Sequence, residues 1–418
     1  MSLLSSCALF GYLYISGSIF FDVAHYFFHQ WSTSQWRALR WLSRCHQFHH
    51  LYYNRSLTFN RRYLRQNSWI ALPLEAACLL TGSLLGWACF LQLASLSNNY
   101  RQLHCPIHPL ITVMTVHVVR TLVVISLHGK DSNHRDEANY PIVPKDPHWL
   151  FVGPQFHALH HLHPDRYMGS VVKIFDWVAG TAYSLRHKSV AITGGSGALG
   201  SAIISHLQSE GVRNIHPLKF GTDWTYETLD RSSSSSSSSR HIRSVLAETD
   251  ILILAHGTKG KDAMEANCNS SIRLIQLYLD QRRRAGYGLD RRRCGGSSRR
   301  KSMSRVMPEV WYVGSEIELH PAFGPAQQRY ADSKRAFLPF ARALYGHPRV
   351  MYRHIVPAAF QSPMGRAVVS PEWAAGVMMW WIRRGACYVP VTYTGIALLN
   401  FLKFTGWVRP DWEKVVGV

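Results

Sequence analysis

The stretch His157-Ala158-Leu159-His160-His161 decides how the first part of the chain folds, because its histidines are spaced for one face of a helix. Two earlier stretches have the same character, His25-Tyr26-Phe27-Phe28-His29 and His46-Gln47-Phe48-His49-His50. Residues three and four apart on a helix lie on the same side. Each stretch therefore predicts a helix that presents two or three imidazoles in one direction.

Together the three stretches offer eight imidazoles, roughly twice what one tetrahedral zinc site uses. We therefore predict two bound metal ions rather than a set of buried core histidines. Neutral imidazole binds iron, copper, nickel and zinc alike. The spacing alone does not choose the metal, and a zinc-dependent hydrolase or isomerase remains open.

The residues around the histidines extend the pattern. Asp22 precedes the first stretch, Asp165-Arg166-Tyr167-Met168-Gly169 follows the last, and Phe175-Asp176-Trp177-Val178-Ala179-Gly180-Thr181 ends the region. From residue 10 to about residue 185 the chain resembles the fatty acid hydroxylase/sterol desaturase superfamily. That family has an acidic residue before its first histidine box, an N-Y-G-like segment after its last one and a W-D-R-L-F-G-T ending.

This resemblance implies a di-iron centre at the cytoplasmic side of a membrane helix bundle, in the endoplasmic reticulum. It also implies a single histidine between the second and third boxes. His128 ends an apolar run and opens His128-Gly129, so it is preferred over His134 for that role. The implied iron ligands are His25, His29, His46, His49, His50, His128, His157, His160 and His161.

Three apolar stretches, 3–28, 69–96 and 104–127, are long enough to cross a bilayer. Between the first two, residues 30–66 combine arginines with tryptophans, a mixture typical of the cytoplasmic membrane interface. Three such stretches together favour a membrane bundle over a set of buried core helices.

The net charge of +21 invites a nucleic-acid interpretation. Much of that charge is local, because residues 282–305 are rich in arginine and contain only one acid, Asp290. With no nucleic-acid fold motif, we expect no nucleic-acid partner. We interpret 282–305 and the serine-rich 231–240, which includes an unbroken serine run over 232–239, as low-complexity insertions with no packed role.

The second part of the chain begins with a predicted strand, Ser189 to Ile192, followed by Thr193-Gly194-Gly195-Ser196-Gly197-Ala198-Leu199-Gly200 and a predicted helix. Strand, glycine-rich turn and helix form the arrangement that holds a pyrophosphate at a helix amino terminus. The predicted dinucleotide-binding residues of this loop are Thr193, Gly194, Ser196, Gly197, Leu199 and Gly200.

Tyr330 and Lys334 are four residues apart, so a helix would place them on one face. A nearby ammonium favours the phenolate and is expected to lower the pKa of Tyr330. Tyr330 is then a candidate proton donor or acceptor for an alcohol/carbonyl pair. Ser315, which follows a predicted strand, could bind the same substrate oxygen.

From about 187 to 395 these features resemble the short-chain dehydrogenase/reductase family. The resemblance assigns the catalytic roles to Ser315, Tyr330 and Lys334, and the family's helix asparagine to Asn267, with Asn269 as the alternative. The resemblance also places Gly257 at the cofactor, as the last residue of the family's N-N-A-G motif, which is altered here to Ala255-His256-Gly257. At the end of the second strand Lys219 favours NADP, whereas the nearby Asp223 would favour NAD.

We therefore predict an α-helical membrane bundle with histidine boxes (1–185) followed by an α/β Rossmann domain with a doubly wound parallel sheet (187–404). The predicted function is a bifunctional membrane oxidoreductase of lipid, sterol or terpenoid metabolism. It would couple O2-dependent hydroxylation or desaturation to NAD(P)-dependent alcohol/carbonyl interconversion, with electrons from an external donor such as a cytochrome b5-type protein.

Two alternatives remain open at this level. Plant wax-synthesis proteins have a similar order of a histidine domain and a dehydrogenase-like domain, which leaves an aldehyde-processing role. The altered Ala255-His256-Gly257 motif leaves a nucleotide-binding domain without catalytic activity.

Overall fold

The computed structural model describes residues 3–96, 107–134, 143–229, 237–285 and 307–415. The chain divides into two compact units. The first, called the histidine unit below, comprises Met1–Tyr140 and Asp146–Ser184. The second, called the sheet unit, comprises Pro141–Lys145 and Leu185–Val418.

The histidine unit is helical. Its helices are α1 (Leu3–Gln30), α2 (Arg37–Tyr52), the short α3 (Leu64–Gln66), α4 (Leu72–Ser95), α5 (His108–Ser126), α6 (Pro154–Leu162) and α7 (Ile174–Ala179). A π-helical turn, Asn67–Ala71, joins α3 to α4. In the described part of the chain, three segments are long and apolar enough to cross a membrane: Leu3–Thr33, Arg61–Ser95 and His108–Ser126.

These three segments bury only one side of each helix. Phe21 and Phe28 of α1 pack on Cys78 and Leu79 of α4, where they form one of the apolar clusters of the unit. Other apolar side chains point outward, among them Leu85, whose exposed fraction is 50%. Outward-facing leucines on long apolar helices suit contact with lipid chains better than contact with water.

The sheet unit contains six parallel strands in the order β2-β1-β3-β4-β5-β6. They are β1 (Ser189–Thr193), β2 (Asn214–Leu218), β3 (Ile251–Leu254), β4 (Glu309–Val313), β5 (Met351–Pro357) and β6 (Tyr388–Val391). The helices are α8 (Ala198–Ser209), α9 (Ser237–Glu248), α10 (Ser270–Arg284), α11 (Pro325–Gly346), α12 (Pro371–Arg383) and α13 (Ile396–Gly406).

The strand order places a topological switch point between β1 and β3, because the chain runs outward to β2 and then returns to the other side of β1. In open parallel sheets, ligands bind beyond the carboxyl ends of the strands at such a point. The sheet with its helices fits the predicted Rossmann-like domain, and its central strands are fully buried, as parallel strands usually are.

The interpretation of the two insertions is wrong at their described ends. Ser239, in the serine run, is buried in the first turn of α9, where its hydroxyl accepts a hydrogen bond from Arg243 Nε at 3.2 Å. Arg282 belongs to α10 and is buried, with a guanidinium nitrogen 3.4 Å from Asp250 Oδ1. Both residues therefore support the packed unit, while 230–236 and 286–306 lie outside the described residues.

Candidate functional site

The first histidine group joins three helices. His25 and His29 come from α1, His46 and His50 from α2, and His160 from α6. One ligand atom from each of the five rings lies within 4.8 Å of all the others. Neighbouring Nε2 atoms are 3.2 Å apart for His25–His29 and His29–His46, 3.1 Å for His46–His50 and 3.2 Å for His50–His160.

The second histidine group consists of His49, His134, His157 and His161. Its Nε2 atoms are also close, at 3.1 Å for His49–His134, 2.8 Å for His134–His157 and 3.1 Å for His157–His161. The helical spacing explains the division between the groups. On α2, His46 and His50 are one turn apart and face the first group, while His49 faces the second.

Hydrogen bonds at Nδ1 fix how the rings of the first group present their lone pairs. His25 Nδ1 lies 3.2 Å from the carbonyl oxygen of Met168, and His160 Nδ1 lies 2.8 Å from that of Arg166. A carbonyl only accepts, so each Nδ1 carries the proton and each Nε2 keeps a free lone pair. Both lone pairs point into the group.

The second group is anchored in the same way. His134 Nδ1 donates to Asp131 Oδ1 at 2.7 Å, and His49 Nδ1 lies 3.3 Å from Asn67 Oδ1. The two Nε2 atoms that face each other at 3.1 Å are then both acceptors and cannot bond to one another. A cation between them resolves this conflict, and imidazoles anchored by a carboxylate or a carbonyl are usual metal ligands. The residues therefore fit two metal ions.

Burial keeps these rings neutral. Removal from water, followed by the influence of neighbouring imidazoles, holds the pKa of His46, His50 and His161 well below the ordinary value of 6.5. For His49, burial is again the main cause and lowers the pKa to about 3. Neutral imidazole is the form that coordinates a metal.

The preference for His128 over His134 is wrong. His134 is buried inside the second group, whereas His128 is exposed and belongs to neither group. His128 lies two residues beyond the end of α5 with a left-handed φ of 58°, and its carbonyl accepts a hydrogen bond from Tyr52. The sequence did contain one signal that favours His134. Asp131 lies three residues before it, and a carboxylate at that spacing can orient a metal-binding imidazole. The structure brings together the other eight predicted ligands.

Two acidic residues near the histidines, Asp22 and Asp176, belong to neither histidine group. Their carboxylates bind backbone amides instead. Asp176 accepts hydrogen bonds from the amides of Met168 and Gly169 at 2.8 and 2.7 Å. Asp22 accepts one from the amide of Ser170 at 2.8 Å. Since the carbonyl of Met168 anchors His25, these carboxylates position the first group indirectly.

A cavity of about 60 Å³ opens beside both groups. Its apolar wall comes from α1, α4 and α5, and includes Phe21, Leu72, Leu79 and Val124. Glu75 and Arg120 also line it; in the sequence they appear only as interruptions of apolar stretches. Glu75 Oε1 is 3.9 Å from His49 Nδ1, and Arg120 is 3.9 Å from Asp131. An apolar chain that enters this cavity would meet histidines of both groups.

In the sheet unit, the glycine-rich loop lies at the switch point. Gly194 has a φ of +69°, and a Cβ there would lie 2.7 Å from the backbone of Ala255 and His256. A Cβ on Gly200 would lie 2.0 Å from the carbonyl oxygen of Gly194. Gly197 caps α8. Because these glycines have no side chain, the loop can pack closely on itself while the amino terminus of α8 stays open to a pyrophosphate, as predicted for such a loop.

Replacing Gly200 with alanine should weaken dinucleotide binding, because the added methyl group forces the Gly194 backbone to move. The pyrophosphate needs the parent loop geometry, so the overpacking cost of about 2 kcal/mol is met when the dinucleotide binds and corresponds to a roughly 30-fold loss of affinity. Titration of the full chain with NADP(H) measures it. Gly376→Ala, where the nearest atom is 3.9 Å from the added Cβ, is the matched control and should bind as the parent does. Equal affinity of both variants would contradict this role.

The remaining predicted loop residues surround this turn. Thr193 is buried at the end of β1, and its hydroxyl lies 2.6 Å from His256 Nδ1. Leu199 is buried in the first turn of α8, while Ser196 is exposed. Lys219 is exposed just after β2. The carboxylate of Asp223 accepts a hydrogen bond from the Lys219 amide at 2.8 Å.

The candidate catalytic groups converge at the other side of the switch point. A Cβ built on Gly257 would lie 3.9 Å from both the Tyr330 ring and Lys334 Nζ, and 3.3 Å from Asn267 Oδ1. Tyr330 is also hydrogen-bonded to Ser315. The five residues therefore come from four separate segments and meet around one small space beyond the ends of β3 and β4.

Asn267, and not Asn269, belongs to this arrangement. Asn267 lies in a π-helical turn, Glu265–Asn269, where its amide exchanges hydrogen bonds of 2.9 Å with the backbone of Thr258. Its Nδ2 also donates to Ser333 Oγ at 2.8 Å. Asn269 is exposed and bonds Glu265 instead.

The expectation of a lowered Tyr330 pKa is wrong. Burial, then the negative charge of Glu318, raise the pKa of Tyr330 to about 12, and the hydrogen bond from Ser315 only partly opposes them. Burial also lowers the pKa of Lys334 to about 8. Desolvation outweighs the favourable ammonium because the side chains lie inside the unit.

The histidine that alters the N-N-A-G motif has a structural partner on each side. His256 Nδ1 contacts Thr193 at the end of β1, and Nε2 lies 2.9 Å from the carbonyl oxygen of Ala266. Burial lowers the pKa of His256 to about 4, so the ring is neutral. It thus ties β1 to the turn that carries Asn267.

The chain is similar to one curated protein and to several solved structures. No family model matches it. The monoglucosyldiacylglycerol epimerase of Synechocystis sp. (strain ATCC 27184 / PCC 6803 / Kazusa) is 25% identical over 279 residues, which is 62% of this chain and 62% of that protein. The chain thus matches under two thirds of this relative. The matched share is larger than either unit alone occupies, so the similarity extends over parts of both.

Solved structures resemble the chain over about half its length. A short-chain dehydrogenase from Burkholderia cenocepacia J2315 in complex with NADP is 14% identical, with a TM-score of 0.39 over 53% of this chain and 94% of that one. The Pseudomonas aeruginosa RhlG/NADP active-site complex is 19% identical, with a TM-score of 0.37 over 51% and 97%. At these TM-scores the likenesses add nothing to the strand order and loop geometry described above.

Proposed function

We propose that this chain is a membrane-bound enzyme of lipid, sterol or terpenoid metabolism with two catalytic units. The sheet unit interconverts an alcohol and a carbonyl group by hydride exchange with NAD(P). The histidine unit holds two metal ions, proposed to be iron, and hydroxylates or desaturates a hydrocarbon chain. The observation that carries the proposal is the set of nine buried or half-buried imidazoles whose Nε2 atoms converge in two groups.

In the sheet unit, the dinucleotide would lie along the Gly194–Gly200 loop with its reactive ring toward Gly257. The substrate oxygen would accept hydrogen bonds from Ser315 and Tyr330, and Tyr330 would donate or take the proton. Lys334, whose Nζ donates to the carbonyl of Val313 at 2.8 Å, is held beside that ring. The exposed Lys219, with Asp223 turned back onto the backbone, supports NADP over NAD.

The pKa of Tyr330 determines how the rate of each direction of the reaction depends on pH. At pH 7 Tyr330, with a pKa of about 12, keeps its proton, so the unit is ready to reduce a carbonyl. Oxidation of an alcohol needs the phenolate, whose fraction grows about tenfold per pH unit below the pKa. We expect kcat/KM for oxidation to rise steeply from pH 6 to 8, and kcat/KM for reduction to stay flat across that range.

Glu318 offers a test of this assignment. Its carboxylate is fully buried, lies 3.0 Å from His354 and accepts a hydrogen bond from the Ser315 amide at 3.2 Å. Because its charge raises the pKa of Tyr330, Glu318→Gln should move the oxidation profile toward lower pH. Glu316→Gln, in the same turn and also buried, is the control and should leave the profile in place. Identical profiles for both variants would contradict the proton-transfer role of Tyr330.

In the histidine unit, His25, His29, His46, His50 and His160 would hold one ion, and His49, His134, His157 and His161 the other. Iron, when bound, would supply the activation of dioxygen. The protein positions the rings through Met168, Arg166, Asn67 and Asp131, and the cavity bounded by Phe21 and Leu79 would orient an apolar chain beside them. Electrons would come from an external donor such as a cytochrome b5-type protein.

The relative from Synechocystis favours a second candidate for the sheet unit. An epimerase of that kind acts on a glycolipid, and its name places the reaction at a lipid with a sugar headgroup. Oxidation and re-reduction of one hydroxyl on a bound dinucleotide would give epimerisation with no net change in NADP(H). Product analysis separates the two: a dehydrogenase changes the dinucleotide in step with product, whereas an epimerase does not.

The two units are proposed to act in sequence, so that an alcohol made by the histidine unit is the substrate of the sheet unit. The proposed location is the endoplasmic reticulum membrane, with both catalytic parts on the cytoplasmic side. Metabolite profiling of cells that express the intact chain, His160→Ala or Tyr330→Phe tests this order. We expect loss of all products with His160→Ala and accumulation of the intermediate with Tyr330→Phe; unrelated products from the two variants would refute it.

A further inference from the structure

Helix α13 has two unlike faces. Ala397, Asn400 and Phe404 are fully buried against the sheet unit. Leu399 and Leu402 point outward, with exposed fractions of 59% and 56%. Leu398, Phe401 and, just beyond the helix, Trp407 are exposed too, which makes a continuous apolar strip on the surface.

The helix is firmly attached, so this strip is a fixed platform. Asn400 Nδ2 donates to Glu318 at 2.9 Å, and Lys403 donates to the carbonyl of the same residue. The Tyr388 hydroxyl donates to the carbonyl of Ala397 at 2.8 Å. A helix held in this way presents its leucines outward in every molecule, and such a patch marks a binding surface.

Two cations lie on or directly after the strip, Lys403 in the helix and Arg409 beyond Trp407, and the chain has no acidic residue from Ile396 to Pro410. Cations beside an apolar surface are attracted to anionic lipid headgroups. Tryptophan beside leucines, as at Trp407, is typical of helices that lie at a lipid–water boundary.

Size decides how such a helix would meet a bilayer. The helix has 11 residues, so it is about 16 Å long, roughly half of the hydrocarbon thickness. It is too short to cross, and its buried face is already occupied. It suits contact with the surface, and the three candidate spans elsewhere in the same chain would keep it close to a bilayer, so that even a weak contact forms.

We propose that the outer face of α13, with Trp407, docks the sheet unit on the surface of an anionic lipid bilayer. This inference goes beyond the proposed reactions and does not depend on them. It requires only that the apolar helices of the histidine unit insert in a membrane. The sheet unit would then receive a lipid substrate while its alcohol or carbonyl group lies near the surface.

Photocrosslinking in the full chain tests this directly. We would place p-benzoylphenylalanine at Leu399, in protein reconstituted in lipid nanodiscs, and identify the adduct by mass spectrometry. Leu85, exposed on α4, is the positive control for membrane insertion, and Gln208, exposed on α8, is the negative control. We expect lipid adducts at positions 85 and 399 and none at 208, with several-fold more at 399 when the discs contain phosphatidylserine.

Each other outcome overturns the proposal. Adducts at position 85 without lipid adducts at 399 would show that α13 stays in water. A product of twice the chain mass at 399 would assign the strip to a second copy of the chain. Equal lipid labelling at 208 and 399 would show that the contact is not specific to α13. Equal yields with and without phosphatidylserine would show that Lys403 and Arg409 do not attract anionic lipid. None of these readouts requires enzyme activity.

Discussion

Tyr330→Phe should reduce kcat of the alcohol/carbonyl reaction by about 10³-fold, within the range that a positioned proton donor contributes. The phenylalanine keeps the ring beside Gly257 and Lys334 and removes only the hydroxyl that bonds Ser315. Dinucleotide affinity should stay unchanged, because the glycine loop at Gly194–Gly200 is a separate part of the site. Steady-state rates and an NADP(H) titration of the full chain give both quantities.

The control for this prediction is Tyr393→Phe, which removes a hydroxyl from a half-exposed ring. It should retain the parent rate. A Tyr330→Phe variant with full activity would show that another group moves the proton. A variant that loses nucleotide binding as well would show that Tyr330 supports the fold of the unit rather than the reaction.

His134→Ala should lower the metal content of the purified chain from two ions to one, and oxygen-dependent product formation should fall to background. The reason is geometric: His134 Nε2 lies 3.1 Å from that of His49 and 2.8 Å from that of His157, so its loss removes the centre of the second group. Metal content by mass spectrometry and product formation from lipid extracts are the measurements.

His128→Ala is the matched control, because that side chain is exposed and belongs to neither histidine group. It should keep both ions. Asp131→Asn, which weakens the partner of His134 Nδ1, should reduce affinity for one metal by about 10- to 100-fold, as is typical for residues that orient a ligand. If His128→Ala lost a metal and His134→Ala did not, the placement of the second group would be wrong.

Local spacing was sufficient to predict most of the ligands and the start of the sheet. In any helix His25 and His29 fall on one face, as do His46 and His50. The strand, glycine loop and helix around Gly194 follow from the close approaches that only glycine allows. Both features depend only on residues that are close together in the sequence, so they can be predicted without knowledge of the fold.

Features that depend on distant contacts could not be predicted. Apart from Asp131, three residues before His134, the local sequence does not distinguish His134 from His128. The turn after α5 decides which of the two rings points toward the other histidines. The raised pKa of Tyr330 depends on burial and on Glu318, which lies 12 positions before it in the chain. Arg282 looked like part of a basic insertion because its partner, Asp250, comes from another segment.

The measurement that tests the account most directly is the metal content of the full-length chain purified from membranes. We predict two iron ions per chain, with one lost in His134→Ala and both retained in His128→Ala. Zinc in place of iron would contradict the oxygen-dependent reaction. A chain with no tightly bound metal would contradict the assignment of the two histidine groups altogether.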